Sequence, residues 1–133
     1  MSDFVTDASI VCAWFLPDEN SQLANASFAR LETQNAFAPT LLLYEVRNTL
    51  LIAERRHRIA ATYVEESLLR LKRLKLNIVE LSDDLVILNL ARKHQLSGYD
   101  ATYLALAVQQ RLPLATNDKK LAAAAAREQL TFN

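Results

Sequence analysis

Glycine and cysteine are scarce in this chain of 133 residues, and each scarcity excludes a class of site. Gly98 is the only glycine, which excludes the P-loop and the GxGxxG cradle, because both need several glycines close to a phosphate. Cys12 is the only cysteine, so no disulfide can form within the chain. One cysteine and two histidines assemble no convincing zinc cluster or Cys–His dyad. Few glycines, with many alanines and leucines, predict a helix-rich protein.

Net charge and long hydrophobic runs are also missing. The 15 basic and 15 acidic residues balance, so attraction to nucleic acid or to an anionic membrane must come from local clusters. No apolar run approaches the ~20 residues that cross a bilayer. The opening MSDFVTDAS has neither the basic nor the apolar region of a signal peptide. With its single cysteine, the chain is therefore expected to be cytoplasmic.

Short apolar segments alternate with helical ones along the chain. The segments FVTD, NAFAP, NIVEL and LPLAT predict strands, and LTF near the end is a further candidate. In the helix SDDLVILNLARKH we expect Ser82 as the N-cap, with Asp83 and Asp84 in the first turn. The length suits one domain, placed over residues 1–133. The alternation predicts an α/β fold, in which helices flank both faces of a central parallel sheet of about four to five short strands.

Three acidic residues fall near predicted strand ends. Asp7 ends the first strand, Asp118 follows the strand at residues 112–116, and Asp100 opens the helix that leads into that strand. In parallel α/β sheets, sites form outside the carboxyl ends of the strands. The pattern therefore points to a shared edge for these three carboxylates.

Glu45 is a fourth candidate, because it interrupts the apolar segment LLLYEVRNTLLIA. On a helix it shares one stripe with Asn48. An ionised glutamate is seldom buried without a partner. Glu45 therefore either pairs with a basic side chain or faces a site.

Each acid also has a purely structural explanation. Asp7 and Asp118 suit helix N-caps, and Asp100 suits the positive end of a helix dipole. If the carboxylates converge, two charges about 5 Å apart repel by roughly 3 kcal/mol at an effective dielectric near 20. A convergent cluster must therefore be partly protonated or hold a cation. Oxygen ligands alone favour Mg²⁺ or Mn²⁺.

Four motifs occur in order across nearly the whole chain: TDAS with Asp7, YEVRN with Glu45, YDATYLALA with Asp100 and LATNDKKL with Asp118. In these motifs the chain resembles the PIN-domain ribonucleases, and among them the VapC-type toxins of VapBC toxin–antitoxin systems. The resemblance implies a single PIN domain in which all four acids are catalytic and bind Mg²⁺ or Mn²⁺. It also implies that Ser9, Asn48 and Thr116 line the pocket.

The resemblance further implies a metal-dependent endoribonuclease that hydrolyses RNA phosphodiester bonds as the toxin of a toxin–antitoxin pair. A cognate VapB-like antitoxin would inhibit it, a homodimer is implied, and the RNA would be of the tRNA or rRNA class. No membrane partner is expected.

Basic residues cluster although the net charge is zero. Arg55, Arg56 and Arg58 in ERRHR, with Lys119 and Lys120 beside Asp118, are candidate contacts to RNA phosphates. The cluster RLKRLK at residues 70–75 is interpreted as a solvated helix end.

Other functions remain open at this point. A receiver-like phosphoacceptor also uses acids at strand ends, but TDAS offers no acid pair, and Lys119 after Asp118 is the wrong arrangement. A non-catalytic binding module with the PIN fold is a further alternative. A metallophosphatase or a DNA-directed nuclease would use the same carboxylate chemistry.

Overall fold

The computed structural model describes residues 3–133, which form four short parallel strands and seven helices. The predicted α/β fold with a central parallel sheet is confirmed. In chain order the elements are β1 (Phe4–Thr6), α1 (Ala8–Phe15), α2 (Gln22–Arg30), β2 (Ala36–Pro39), α3 (Leu41–Arg55), α4 (Ala61–Leu71), β3 (Leu76–Val79), α5 (Asp84–His94), α6 (Gly98–Gln110), β4 (Leu114–Ala115) and α7 (Lys119–Arg127).

The strand order is β3-β2-β1-β4, so β1 lies inside the sheet. Phe4 is in register with Ala36 of β2, and Val5 with Leu114 of β4. The segment LTF does not extend into a strand, because only Thr131 forms a bridge, with Leu114. The carboxyl ends of β1 and β4 are therefore neighbours, and Asp7 directly follows one of them.

Successive residues of β1 belong to two different clusters of buried side chains. Phe4 packs with Ile10 and Ala24 from α1 and α2. Val5 packs in a larger cluster with Leu42 of α3 and Leu104 of α6. Because neighbouring side chains of a strand point to opposite faces, helices cover both sides of the sheet.

Helix α6 is the central helix of the larger cluster. Residues 104–107 have exposed fractions of 1% or less, and the helix contacts β1, β2 and β4 as well as α5 and α7. Its N-cap is Ser97, whose hydroxyl accepts a hydrogen bond from the Asp100 N–H at 3.0 Å. Asp100 therefore lies in the first turn of a helix that the core holds in place.

The cap of α5 is Asp83 and not the expected Ser82. The Asp83 side chain accepts a hydrogen bond from the Val86 N–H at 3.2 Å, which places the first helical residue at Asp84. Two adjacent residues could each cap this helix, and the backbone selects the second.

Four helices are followed by a residue in the left-handed conformation, and none of the four is glycine. His57 after α3 has φ of 59° and Gln129 after α7 has φ of 63°. Gln95 after α5 and Arg111 after α6 each have φ of 55°.

No helix within residues 3–133 is both long enough and apolar enough to span a membrane.

Glu128 ties α5 to the end of α7, and we expect its charge to contribute to stability. Its Oε2 lies 2.8 Å from Lys93 Nζ and 2.6 Å from His94 Nε2. Hydrogen bonds from Lys93 and then His94 hold the pKa of the Glu128 carboxyl below its usual value. A carboxylate with a lowered folded-state pKa stabilises the protein above its unfolded-state pKa and loses this effect as pH falls through the folded-state pKa.

Replacing Glu128→Gln should therefore lower the free energy of unfolding by about 1 kcal/mol at pH 7. Urea unfolding of both proteins, measured from pH 7 down to the pKa of Glu128, should show the difference shrinking as pH falls. A difference that stays constant over this range would contradict the ion-pair explanation.

Candidate active site

Asp7 is the most buried acid at the carboxyl edge of the sheet, with 5% of its surface exposed. Its Oδ1 accepts hydrogen bonds from Ser9 Oγ at 2.6 Å and from the Ile10 N–H at 3.2 Å, so Asp7 is also the N-cap of α1. Its Oδ2 accepts a hydrogen bond from the Thr116 hydroxyl. Burial raises the pKa of Asp7, these hydrogen bonds oppose the rise, and the charge of Asp100 adds to it.

The two hydroxyls that bind Asp7 also fasten the loop between β4 and α7. Thr116 Oγ1 accepts a hydrogen bond from the Asp118 N–H at 3.0 Å. Ser9 Oγ accepts one from the Asn117 N–H, also at 3.0 Å. The buried carboxylate therefore sets the position of the loop that carries Asp118.

Asp100 lies within electrostatic reach of two other acids. Its carboxyl is half-buried, and burial, followed by the charge of Asp118, raises its pKa, while Ser97 and Lys120 act in the opposite direction. Asp118 is exposed and caps α7 through the Leu121 N–H at 2.9 Å. The structure therefore brings Asp7, Asp100 and Asp118 to one edge of the sheet.

Glu45 contacts Tyr103 of α6, a residue that was not among the predicted site residues. The Tyr103 hydroxyl donates a hydrogen bond to Glu45 Oε1. The ring is 2% exposed, and burial first, then Glu45, raises the pKa of Tyr103 far above its usual value. A sequence signal did exist, because Tyr103 follows Asp100 by three residues and so shares its helix face.

A cavity of about 360 Å³ lies next to Ser9, which donates to Asp7, although Asp7, Asp100 and Asp118 are not among its lining residues. Its walls include Ser9, Cys12, Glu45, Thr49 and Arg58. Burial raises the pKa of the Cys12 thiol to about 12, so the thiol is protonated at neutral pH and is not a nucleophile. The cavity is a space for a ligand beside Glu45, and its walls carry one positive side chain, Arg58, and two negative ones, Glu19 and Glu45.

The predicted RNA-contacting residues differ in their distance from this cavity. Arg58 lines it, and its guanidinium forms two hydrogen bonds with the Asp18 carboxylate at 2.8 and 2.7 Å. Lys120 is close enough to Asp100 to act on its pKa. Arg55 and Arg56 are exposed at the end of α3, and Lys119 is exposed at the start of α7.

Asn48 lies outside the cavity that Glu45 lines. It is exposed on α3, in a shallow depression with Tyr44, Arg47 and Leu51. The helical stripe correctly places Asn48 one turn after Glu45, but α3 rotates the two side chains toward different surroundings. Its role as a pocket residue stays a prediction.

The carboxylates suit a hard divalent cation in chemistry and in electrostatics. The charge of Asp100 raises the pKa of Asp7 and the charge of Asp118 raises the pKa of Asp100, and this repulsion is what a cation relieves. Within residues 3–133, no three acidic, histidine or cysteine side chains lie close enough to share one ion. Mg²⁺ keeps several waters and commonly takes only one or two carboxylates, so it does not require three acids at ligand distance.

Comparison with known proteins identifies the fold family. A family model of the PIN domain matches residues 4–127. The chain belongs to the PIN-domain family. Ribonuclease VapC3 from Pyrobaculum aerophilum is 34% identical to this PIN-domain chain over 123 residues, which are 89% of this chain and 91% of the relative. The resemblance to VapC-type proteins is thereby confirmed.

Two solved structures share the fold. PAE2754 from Pyrobaculum aerophilum superposes with a TM-score of 0.67 and 21% identity, covering 92% of this chain and 84% of its own. A toxin–antitoxin complex from Klebsiella pneumoniae gives a TM-score of 0.65 and 21% identity, with 90% of each chain covered. At this level of identity the two structures support the architecture of this PIN domain.

Thr116→Val should lower the free energy of unfolding by about 1–3 kcal/mol, because the buried Asp7 carboxylate loses a donor and the Asp118 N–H loses its acceptor. Thr116→Ser keeps the hydroxyl and is the matched control. Chemical denaturation of the metal-free proteins measures the effect. Equal stability of the valine and serine variants would show that the hydroxyl does not support Asp7.

Proposed function

We propose that this PIN-domain protein is a metal-dependent endoribonuclease and the toxin of a toxin–antitoxin pair. The observation that carries the proposal is the proximity of Asp7, Asp100 and Asp118 at one edge of the sheet. There the charge of Asp100 contributes to raising the pKa of Asp7, and the charge of Asp118 contributes to raising the pKa of Asp100. A relative 34% identical over most of the chain is named a ribonuclease. One solved structure with the same fold is a toxin–antitoxin complex.

Asp7, Asp100, Asp118 and Glu45 would supply the carboxylates for Mg²⁺ or Mn²⁺, one or two as ligands and the others through its bound water, since no three such side chains among residues 3–133 lie close enough to share one ion. When bound, such an ion activates water as a nucleophile and neutralises charge that develops on the phosphodiester. Asp7 is held in one orientation by Ser9, Thr116 and the start of α1, so it does not need to reorganise when substrate binds.

The substrate strand would lie over the cavity that Glu45 lines. Arg58 on its wall and Lys120 near Asp100 are the predicted basic contacts with direct access to a phosphate there. Arg55, Arg56 and Lys119 would contact the strand farther out. Arg58 would exchange part of its bonding to Asp18 for a phosphate oxygen, since both anions accept from the same planar donor set.

An antitoxin and a second copy of the chain are the proposed protein partners, and the cytoplasm is the proposed location. Large apolar side chains are exposed on four helices, and such partners would cover them. Tyr44 and Leu69 lie on α3 and α4, with exposed fractions of 61% and 57%, while Leu85 and Tyr99 lie on α5 and α6, at 71% and 66%. The substrate is proposed to be a tRNA or rRNA.

The burial of Asp7 disfavours the receiver-like alternative. A phosphoacceptor must present a free carboxylate oxygen to its donor, whereas both oxygens of Asp7 accept hydrogen bonds and the residue is 5% exposed. A metal ligand needs only a lone pair that these hydrogen bonds leave over, and not an oxygen free to attack a phosphorus atom.

Asp100→Asn should reduce cleavage of total bacterial RNA by about a hundredfold or more, because the variant keeps the shape and loses a charge that holds the ion. The assay uses purified protein with Mg²⁺, with Mn²⁺ and with chelator. Asp83→Asn is the matched control, since it also replaces a carboxylate by an amide. Asp83 caps α5, and its side chain contacts none of the site residues. Metal-dependent fragments that persist unchanged in Asp100→Asn would remove Asp100 from the site.

Arg58→Gln should weaken binding of a single-stranded RNA and reduce the salt dependence of its affinity by about one phosphate contact. Arg73→Gln is the matched control, because Arg73 belongs to the cluster at residues 70–75 that is interpreted as a solvated helix end. It should leave the salt dependence of the RNA affinity unchanged. Fluorescence anisotropy at several salt concentrations measures both variants in the Asp100→Asn background, where the RNA stays intact. Identical slopes for the two variants would exclude Arg58 from the RNA path.

A further inference from the structure

We propose that Tyr103 is a positioning residue for Glu45, fixing the carboxylate that borders the substrate cavity. The inference rests on the proposed nuclease function. The Tyr103 hydroxyl donates a hydrogen bond to Glu45 Oε1, and no second hydrogen-bond partner of the Glu45 side chain occurs among residues 3–133. Oε2 of Glu45 therefore remains available to a metal ion or to a water bound by it.

The core fixes the place of the Tyr103 hydroxyl. Tyr103 has neighbours in α6 that are almost completely buried, including Ala101 and Leu104, both at 0% exposure. A ring held among close-packed side chains has one accessible rotamer, so the oxygen at its tip has one position. Glu45 is only half-buried and lies on α3, where its long side chain would otherwise sample several rotamers.

The direction of the hydrogen bond also matters. A tyrosine hydroxyl has one proton to give, and the ionised carboxylate of Glu45 can only accept it, so Tyr103 is the donor in this contact. A donor stabilises the ionised carboxylate that a cation requires. Tyr103 therefore supports Glu45 without bringing a positive charge that would compete with the metal.

One helix thus serves two acids. Asp100 and Tyr103 are three residues apart on α6 and lie on the same face. Asp100 provides a carboxylate of its own, and Tyr103 orients a carboxylate that α3 provides. The relative position of the two acids is then set by the packing of α6, which contacts β1, β2 and β4.

Tyr103→Phe keeps the ring and removes only the hydroxyl. We expect kcat for RNA cleavage to fall about tenfold, with KM for RNA nearly unchanged, and Mn²⁺ affinity measured by calorimetry to fall several-fold. Tyr63→Phe is the matched control, because the Tyr63 hydroxyl also donates from a half-buried ring, to the Phe15 carbonyl. This control should leave kcat and Mn²⁺ affinity unchanged.

A double-mutant cycle separates positioning from a general loss of stability. Glu45→Asp shortens the side chain by one methylene and breaks the contact from the other side, without touching the core. If Tyr103 acts through Glu45, Tyr103→Phe should have no further effect on kcat or Mn²⁺ affinity in the Glu45→Asp background. Equal effects of Tyr103→Phe in both backgrounds would overturn the inference.

The outcomes distinguish the inference from the function on which it rests. Wild-type protein that cleaves RNA with metal, together with a Tyr103→Phe variant of equal kcat and equal Mn²⁺ affinity, overturns the role of Tyr103 and leaves the nuclease standing. Wild-type protein that neither binds Mn²⁺ nor cleaves RNA overturns both.

Discussion

The hydrogen bonds on the Asp7 carboxylate are the constraint on which this edge of the molecule depends. Burial disfavours the ionised form, and the donors that offset it are two hydroxyls and a backbone N–H. None of these donors carries a charge, so the negative charge is solvated and not neutralised. The same hydroxyls hold the loop that carries Asp118. A site built in this way keeps its attraction for an external cation, which an arginine or lysine partner would have removed.

Structural and functional explanations of the acids are compatible in this protein. Asp7 and Asp118 do cap α1 and α7, as a reading of the local sequence suggests. A cap uses one carboxylate oxygen and places the residue at the mouth of a helix, beside the strand end that precedes it. At the carboxyl edge of a parallel sheet, that is also where a site forms. Capping therefore determines the backbone position from which the carboxylate lone pairs that are left over can act.

Local features of this chain were predictable from sequence, and long-range contacts were not. Alternating apolar segments predicted the parallel sheet, and strand ends predicted the place of Asp7 and Asp118, because each depends on near neighbours in sequence. The choice between Ser82 and Asp83 depends on one residue of helix register, which the pattern leaves open. The pairs Tyr103–Glu45 and Arg58–Asp18 join residues far apart in the chain, and only the packing of α3 and α6 and the loop after α3 brings them together.

The left-handed helix ends have a consequence for the unfolded chain. Gln95 and Arg111 adopt a conformation that glycine accepts freely and that costs other residues roughly 1 kcal/mol each. Glycine at those positions would relieve that cost, yet it would also give the unfolded chain more conformations to lose on folding. With one glycine in 133 residues, this protein has a comparatively stiff denatured ensemble. Part of the free energy of unfolding therefore comes from the low conformational entropy of the unfolded chain, and not from contacts in the folded protein.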